Sequence, residues 1–189
     1  MLDSEINGLT AFAFTILIAF VSFVWYIDSF RKIEFHDDVI GPFKFVHRIE
    51  MGPYEQNGAL FKSVVKYIAK FDLEHCKTAG ICYDDPQNPR YAFGFIIEKN
   101  DEEKFNSMKE KIQGWKIMEI KETKTAASYF PIKFQTISRS LSARKTYSAF
   151  NRQEKYKSGS GIMEIYDEEK IETHFPQSNL LQFWPPSSN

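Results

Sequence analysis

The most pointed chemistry in this chain belongs to Glu164 and Tyr166, in the stretch IMEIY. Their spacing of two puts both on one face of a strand. A carboxylate held beside an aromatic ring, with water excluded, attracts a cation strongly; on a solvated strand face the same pair does little. His47 falls on the apolar face of an alternating stretch. It reads as a hydrogen-bonded core histidine rather than a haem ligand, because nothing else marks an axial site. Cys76 and Cys82 are too few and too close for a disulfide framework, and their spacing is not a zinc pattern. They read as free thiols in a reducing compartment. No Gly-rich phosphate loop, nucleophile elbow or HExxH is present. A hydrolase built on Glu164, or a Cys82–His47 pair, needs a proximity that spacing does not supply. Neither a metal nor a cofactor is expected. Arg139, Arg144, Lys145, Arg152, Lys155 and Lys157 stand against Glu154 in one stretch. They could meet anionic headgroups or an RNA backbone. Without a stacking platform they read as a solvated helix face. With 24 basic against 25 acidic residues, no nucleic-acid partner is expected.

The elements that must position these groups follow from periodicity. Residues 44–51 alternate Phe45, Ile49 and Met51 with Lys44, Arg48 and Glu50, a half-buried strand that Gly52 and Pro53 close. Leu60, Phe61, Val64, Val65, Ile68 and Phe71 then repeat at helical spacing, opposite Lys62, Lys66 and Lys70. Strands are expected at 78–83 and 91–99, around a turn at 84–89 that two prolines enforce. A charged helix over 101–113 ends at Gly114. Strands at 115–121 and 126–134 follow, Pro131 suggesting an edge or bulge in the second. A basic helix over 136–156, a joint at 158–161 and a hairpin of 162–166 with 170–175 complete the chain. The order strand, helix, strand, strand thus occurs twice. Two such modules can join edges into one antiparallel α+β sheet with both helices on one face. The concave surface between the halves is a default place for a small-molecule ligand.

Residues 9–27, LTAFAFTILIAFVSFVWYI, carry no charge and no proline. As a helix they span about 28 Å, close to the hydrocarbon thickness of a bilayer. Trp25 and Tyr26 mark an interfacial edge. A cleaved signal would start basic, but here Asp3 and Glu5 precede the span. Arg31 and Lys32 follow it, so the positive-inside rule puts the C-terminal domain in the cytosol. The expected organisation is an anchor at 1–32, a linker at 33–43, the domain at 44–176 and a short tail at 177–189.

Taken in order, the anchor, HRIEMGPYEQNGALF (47–61), ICYDDP (81–86) and MEIYDEEKIETHFP (163–176) resemble the testis-expressed protein 264-like family. The domain resembles GyrI-like domains, related in fold to bacterial drug-binding regulators and SOUL-type haem-binding proteins. The resemblance implies an endoplasmic reticulum membrane protein acting as a receptor in autophagy of that organelle. It implies a partnership with ubiquitin-like autophagy proteins through a short motif, an aromatic residue followed three positions on by an aliphatic one, which adds a strand to its partner. Phe30-Arg-Lys-Ile33 fits those letters outside the domain, and Phe183 and Trp184 are the aromatic residues of the tail. Phe61-Lys-Ser-Val64 and Phe134-Gln-Thr-Ile137 also fit, but within elements expected to be buried. In the resembling drug-binding domains an acid at the position of Glu164 faces the cleft and meets cationic ligands. Tyr54 and Tyr83 match positions near that cleft, so the expected site is Tyr54, Tyr83, Glu164 and Tyr166. Some GyrI-like proteins are hydrolases, which supports an enzyme as a further alternative to a receptor or a ligand carrier.

Overall fold

The computed structural model describes residues 2–52, 57–71, 73, 75–83, 90–108, 114–152 and 161–176. Helix α1 (Leu2–Tyr26) precedes strands β1 (His36–Ile40) and β2 (Phe43–Met51). Helix α2 (Asn57–Lys70), strands β3 (Thr78–Tyr83) and β4 (Arg90–Ile97) and helix α3 (Glu102–Met108) follow. The second half holds β5 (Lys116–Ile120), β6 (Thr123–Pro131), α4 (Gln135–Phe150), β7 (Ile162–Tyr166) and β8 (Lys170–Pro176). All eight strands form one antiparallel sheet in the order β1-β6-β8-β7-β3-β4-β2-β5.

That order is two copies of one unit, β2–α2–β3–β4 and β6–α4–β7–β8, joined at the β3–β7 seam. Strands β1 and β5 are exchanged. β1 leads directly into β2 yet pairs with β6, and β5 leads into β6 yet pairs with β2. His36–Ile40, expected as linker, is therefore an outer strand of the sheet. Two aspartates in HDDVI hid it, because they break the alternation that identifies a strand. Pro131 ends β6 where that strand is paired on one side only: β1 leaves the ladder at Ala127, and Pro131 faces Lys170 of β8 alone.

The exchange forces the sheet to curl. β1 lies at one margin and β2 near the other, yet only about 11 Å of chain can separate Ile40 from Phe43. Ile40 and Ile120 accordingly share a buried cluster with Phe45, Ala79, Ile96, Met163 and Ile165 on the inner face. Gly41 takes a left-handed φ of +86° where the two margins meet, and a Cβ there would stand 2.7 Å from the Lys121 carbonyl oxygen.

Both helices cover the outer face. Leu60, Val64 and Ile68 of α2, four residues apart, pack with Tyr91, Phe93 and Phe95 of β4. Burying each such side chain contributes roughly 1.5–3 kcal/mol. At the same spacing α4 buries Ser138, Ser142 and Thr146 instead. The Ser138 hydroxyl accepts from the backbone N–H groups of Lys133 at 2.9 Å and Phe134 at 3.2 Å, fixing the start of the helix.

Helix α1 stands apart from the core. Its Gly8–Tyr26 stretch is long and apolar enough to cross a membrane, and none of it is buried by the rest of the protein. Thr15 donates back to the Ala11 carbonyl at 3.0 Å, which satisfies its hydroxyl within the helix. At its end Phe23 and Tyr26 meet Phe134 at ring separations of 5.8 and 6.1 Å. The Lys145 ammonium donates to the Asp28 and Arg31 carbonyls at 3.3 and 2.8 Å.

Candidate functional site

At the seam neither helix fully covers the sheet. The uncovered strip is a cleft of about 590 Å³, floored by β7, β3 and β4 and walled by α2 and α4. Gly80 makes room for it: it pairs with Glu164 across the seam and with Phe93 on its other side. A Cβ on Gly80 would lie 2.9 Å from the Phe93 ring. A strand glycine where side chains must leave space is a recurrent sign of close approach.

Glu164 lies on the floor and is only 4% exposed. The Tyr166 hydroxyl donates to its Oε2, as the two-residue spacing allows. Tyr166, Phe61 and Phe93 form a three-ring cage, with centroids 4.9 Å apart for Phe61–Phe93, 5.9 Å for Phe61–Tyr166 and 5.8 Å for Phe93–Tyr166. The cage contains a cation of the protein's own. The Arg139 guanidinium carbon sits 3.6 Å from the Phe61 ring centroid and 5.0 Å from that of Tyr166. Burial pushes the Arg139 pKa down, and the Tyr166 and Glu164 charges pull it back up; a guanidinium stays charged under such a shift. Its Nε is buried without a hydrogen-bond partner among the described residues. Thr136 and Ser140 of α4 and Lys62 of α2 line the same cleft.

Glu164 and Tyr166 share the cleft floor. Tyr83 packs with the inner-face cluster of Ala79, Ile81 and Met163. It is one strand step out of phase with Gly80 and Cys82, which face the cleft. Tyr54, Phe183 and Trp184 lie outside the described residues. Phe30 is 72% exposed in the turn after α1, and Ile33 is half-buried in the irregular segment before β1. Val64 is fully buried, but Phe134 and Ile137, expected to be buried, are 45% and 37% exposed. They sit at the start of α4, and Phe134 meets the end of α1.

Periodicity alone misassigned one residue and missed a second role of another. Phe61 belongs to the apolar stripe of α2 and also walls the cleft. Arg139, grouped with a solvated basic face, turns inward, while Arg144 is exposed and Lys145 holds the end of α1. Lys155, Lys157 and Glu154 lie outside the described residues. The signal for the cleft was Gly80, a lone glycine inside a strand.

Other reactive groups stand apart from the cleft. His47 is 3% exposed on the inner face, stacked on Phe45 at 4.9 Å, with Nδ1 3.2 Å from the Phe45 carbonyl oxygen. Burial lowers its pKa. Cys82 lies on the outer face of β3, two strands away, so the two do not meet. Cys76 is buried and Cys82 half-buried. His75, Cys76 and Asp101 hold nitrogen, sulfur and oxygen donors within 4.8 Å of one another, with His75 Nε2 2.8 Å from Asp101 Oδ1. On β6 and β8, His174 joins Thr125 at 3.1 Å and Glu172 at 3.4 Å, and Lys170 pairs with Glu172 at 2.8 Å. The order of groups is that of a hydroxyl, base and acid relay, but Thr125 is wholly buried and cannot meet a substrate. The hydrogen bond from His174 holds the Glu172 pKa down at about 2, against the effect of burial and with help from Lys170.

No family model matches this chain, and no curated protein matches it. Solved structures do resemble it. An integron cassette protein from the mobile metagenome of Vibrio cholerae is 9% identical with a TM-score of 0.50, covering 77% of this chain and 98% of its own. SAV2435 bound to tetraphenylphosphonium is 13% identical with a TM-score of 0.49, covering 79% and 96% respectively. A hydrolase from Listeria innocua is 11% identical with a TM-score of 0.44, covering 77% and 93%. At such identities the likeness speaks to fold and not to chemistry. The arrangement of strands and helices is the GyrI-like α+β fold.

Proposed function

We propose that this chain is a membrane-tethered binding module whose cleft takes an amphipathic small molecule. The observation that carries the reading is the cleft itself, about 590 Å³ with aromatic walls and a buried carboxylate on its floor. Its size falls within the range of small-molecule sites, as does its mixture of apolar surface and few polar groups. The uncovered apolar helix α1 supports the tether. An exposed apolar surface of that extent needs a lipid or protein cover. A tether also raises the local concentration of anything dissolved in the membrane, so weak affinity suffices.

The test is binding of N-phenyl-1-naphthylamine, an uncharged fluorescent amphiphile, to the full chain in lipid nanodiscs. Empty nanodiscs serve as the blank. Saturable binding that Phe61→Ala weakens by about tenfold, through loss of one aromatic wall, is the expected result. Binding equal to the blank would remove the basis for the reading.

A further inference from the structure

We infer that Arg139 sets the charge selectivity of the cleft, so that its ligand is an amphipathic anion: a carboxylate or phosphate head on an apolar body. The inference rests on the cleft being a binding site and adds what it selects.

Three aromatic rings around a buried carboxylate would by themselves form a receptor for a lipophilic cation. In this chain that seat is taken. The guanidinium of Arg139 lies 3.6 Å from the centroid of Phe61 and 5.0 Å from that of Tyr166. It is close enough to Glu164 and Tyr166 for both to act on its titration. A second cation entering the cage would have to expel it and desolvate beside it, which like charges in a water-poor site oppose.

What the cleft still offers is donors. Glu164 already accepts from Tyr166. The Arg139 Nε–H is buried and has no acceptor among the described residues, so the guanidinium is incompletely satisfied by the protein around it, and Arg139 itself lines the cleft. A guanidinium presents its donors in a planar fork that fits carboxylate and phosphate oxygens. Thr136 and Ser140 flank it on α4, and Lys62 adds a second cation from α2. Among the described residues Glu164 is the only acid lining the cleft, against Arg139 and Lys62. The apolar body of the ligand would lie against Phe61, Phe93 and Tyr91, which line the remainder.

The experiment uses a pair of ions with the same shape and opposite charge, tetraphenylborate and tetraphenylphosphonium. Each is titrated into nanodiscs carrying the full chain, with empty nanodiscs subtracted. The wild type should bind the borate at least about tenfold more tightly than the phosphonium, and Arg139→Met should reduce or reverse that ratio by about tenfold or more. Decanoate and decyl phosphate are then used as competitors; the stronger one identifies the head, and failure of both to displace the borate overturns the inference. Equal affinity, or a preference for the phosphonium in the wild type, also overturns it while leaving the cleft a binding site. Should Arg139→Met not fold, the wild-type ratio alone decides. If neither ion binds above the blank in any variant, the proposed function fails as well.

Discussion

Helices α2 and α4 occupy equivalent places in the two modules but hold the sheet by opposite means. The first presses an aliphatic stripe, Leu60, Val64 and Ile68, onto aromatic residues of β4. The second presents Ser138, Ser142 and Thr146 at the same four-residue spacing. Ser138 is spent on fixing the start of its helix. The Ser142 and Thr146 hydroxyls, and that of Thr173 on β8, are buried with no hydrogen-bond partner among the described residues. The cleft lies between the two, so one wall is fastened along its length by apolar burial and the other at its C-terminal end, where Phe150 stacks on Phe175 at 3.7 Å. Arg139, the group proposed to select the ligand, is on the second wall, nearer its start.

The comparison is broken most directly by truncation on each helix. Ile68→Ala should destabilise the protein by about 3 kcal/mol, as expected for a large-to-small change in a packed core. Ser142→Ala, on the matching face of α4, should change stability by less than about 1 kcal/mol, because it removes a buried hydroxyl that gains little. Chemical denaturation midpoints measure both, and equal losses would mean that α4 is as firmly packed as α2.

Exchange of polarity sharpens the contrast. Val64→Thr should cost on the order of 2 kcal/mol by burying an unpaired hydroxyl. Thr146→Val, of nearly the same shape, should stabilise by about 1 kcal/mol. A loss on Thr146→Val would show that its hydroxyl meets a bound water.

The smallest effect concerns acid. The second module holds the Thr125–His174–Glu172–Lys170 chain, buried at Thr125 and His174. Glu172 has its pKa lowered from 4.5 to about 2, first by its hydrogen bond with His174. A carboxylate with a depressed pKa stabilises the fold above its unfolded value, and that contribution is lost as pH falls through the folded one. Stability should therefore decline between pH 4.5 and about 2. Glu172→Gln should flatten this decline while costing on the order of 1 kcal/mol at neutral pH. A full pH series of thermal midpoints checks it; an unchanged slope would place the acid sensitivity elsewhere.

The same contrast explains what could be learned from the residues alone. The first module was legible because its apolar spacing fixes both the type of each element and the face it buries. The second gave its elements but not their rotation. With serine and threonine beneath α4, no apolar stripe indicates which side meets the sheet. Whether Arg139 faces solvent or cleft was therefore unreadable. Glu164 and Tyr166 were recoverable because strand alternation needs only local order. Tyr83 was misplaced because the resemblance supplied its position, whereas alternation with Gly80 and Cys82 would have put it on the other face. Strand β1 escaped because its partner is β6, far along the chain, and its own residues lack a pattern.

The crossed pairing of β1 and β5 makes the two halves dependent on each other for completion. Each half, made as a separate polypeptide, would carry one strand with no mate and expose the margin its counterpart should protect. Two such fragments, expressed apart and then mixed, should gain structure that each lacks alone. In the intact chain the ladders that close the sheet join distant residues, His36 with Ala127 and Phe43 with Ile120. Those ladders then wait for β5 and β6 to be made, and their formation is slowed by the long loops it must gather.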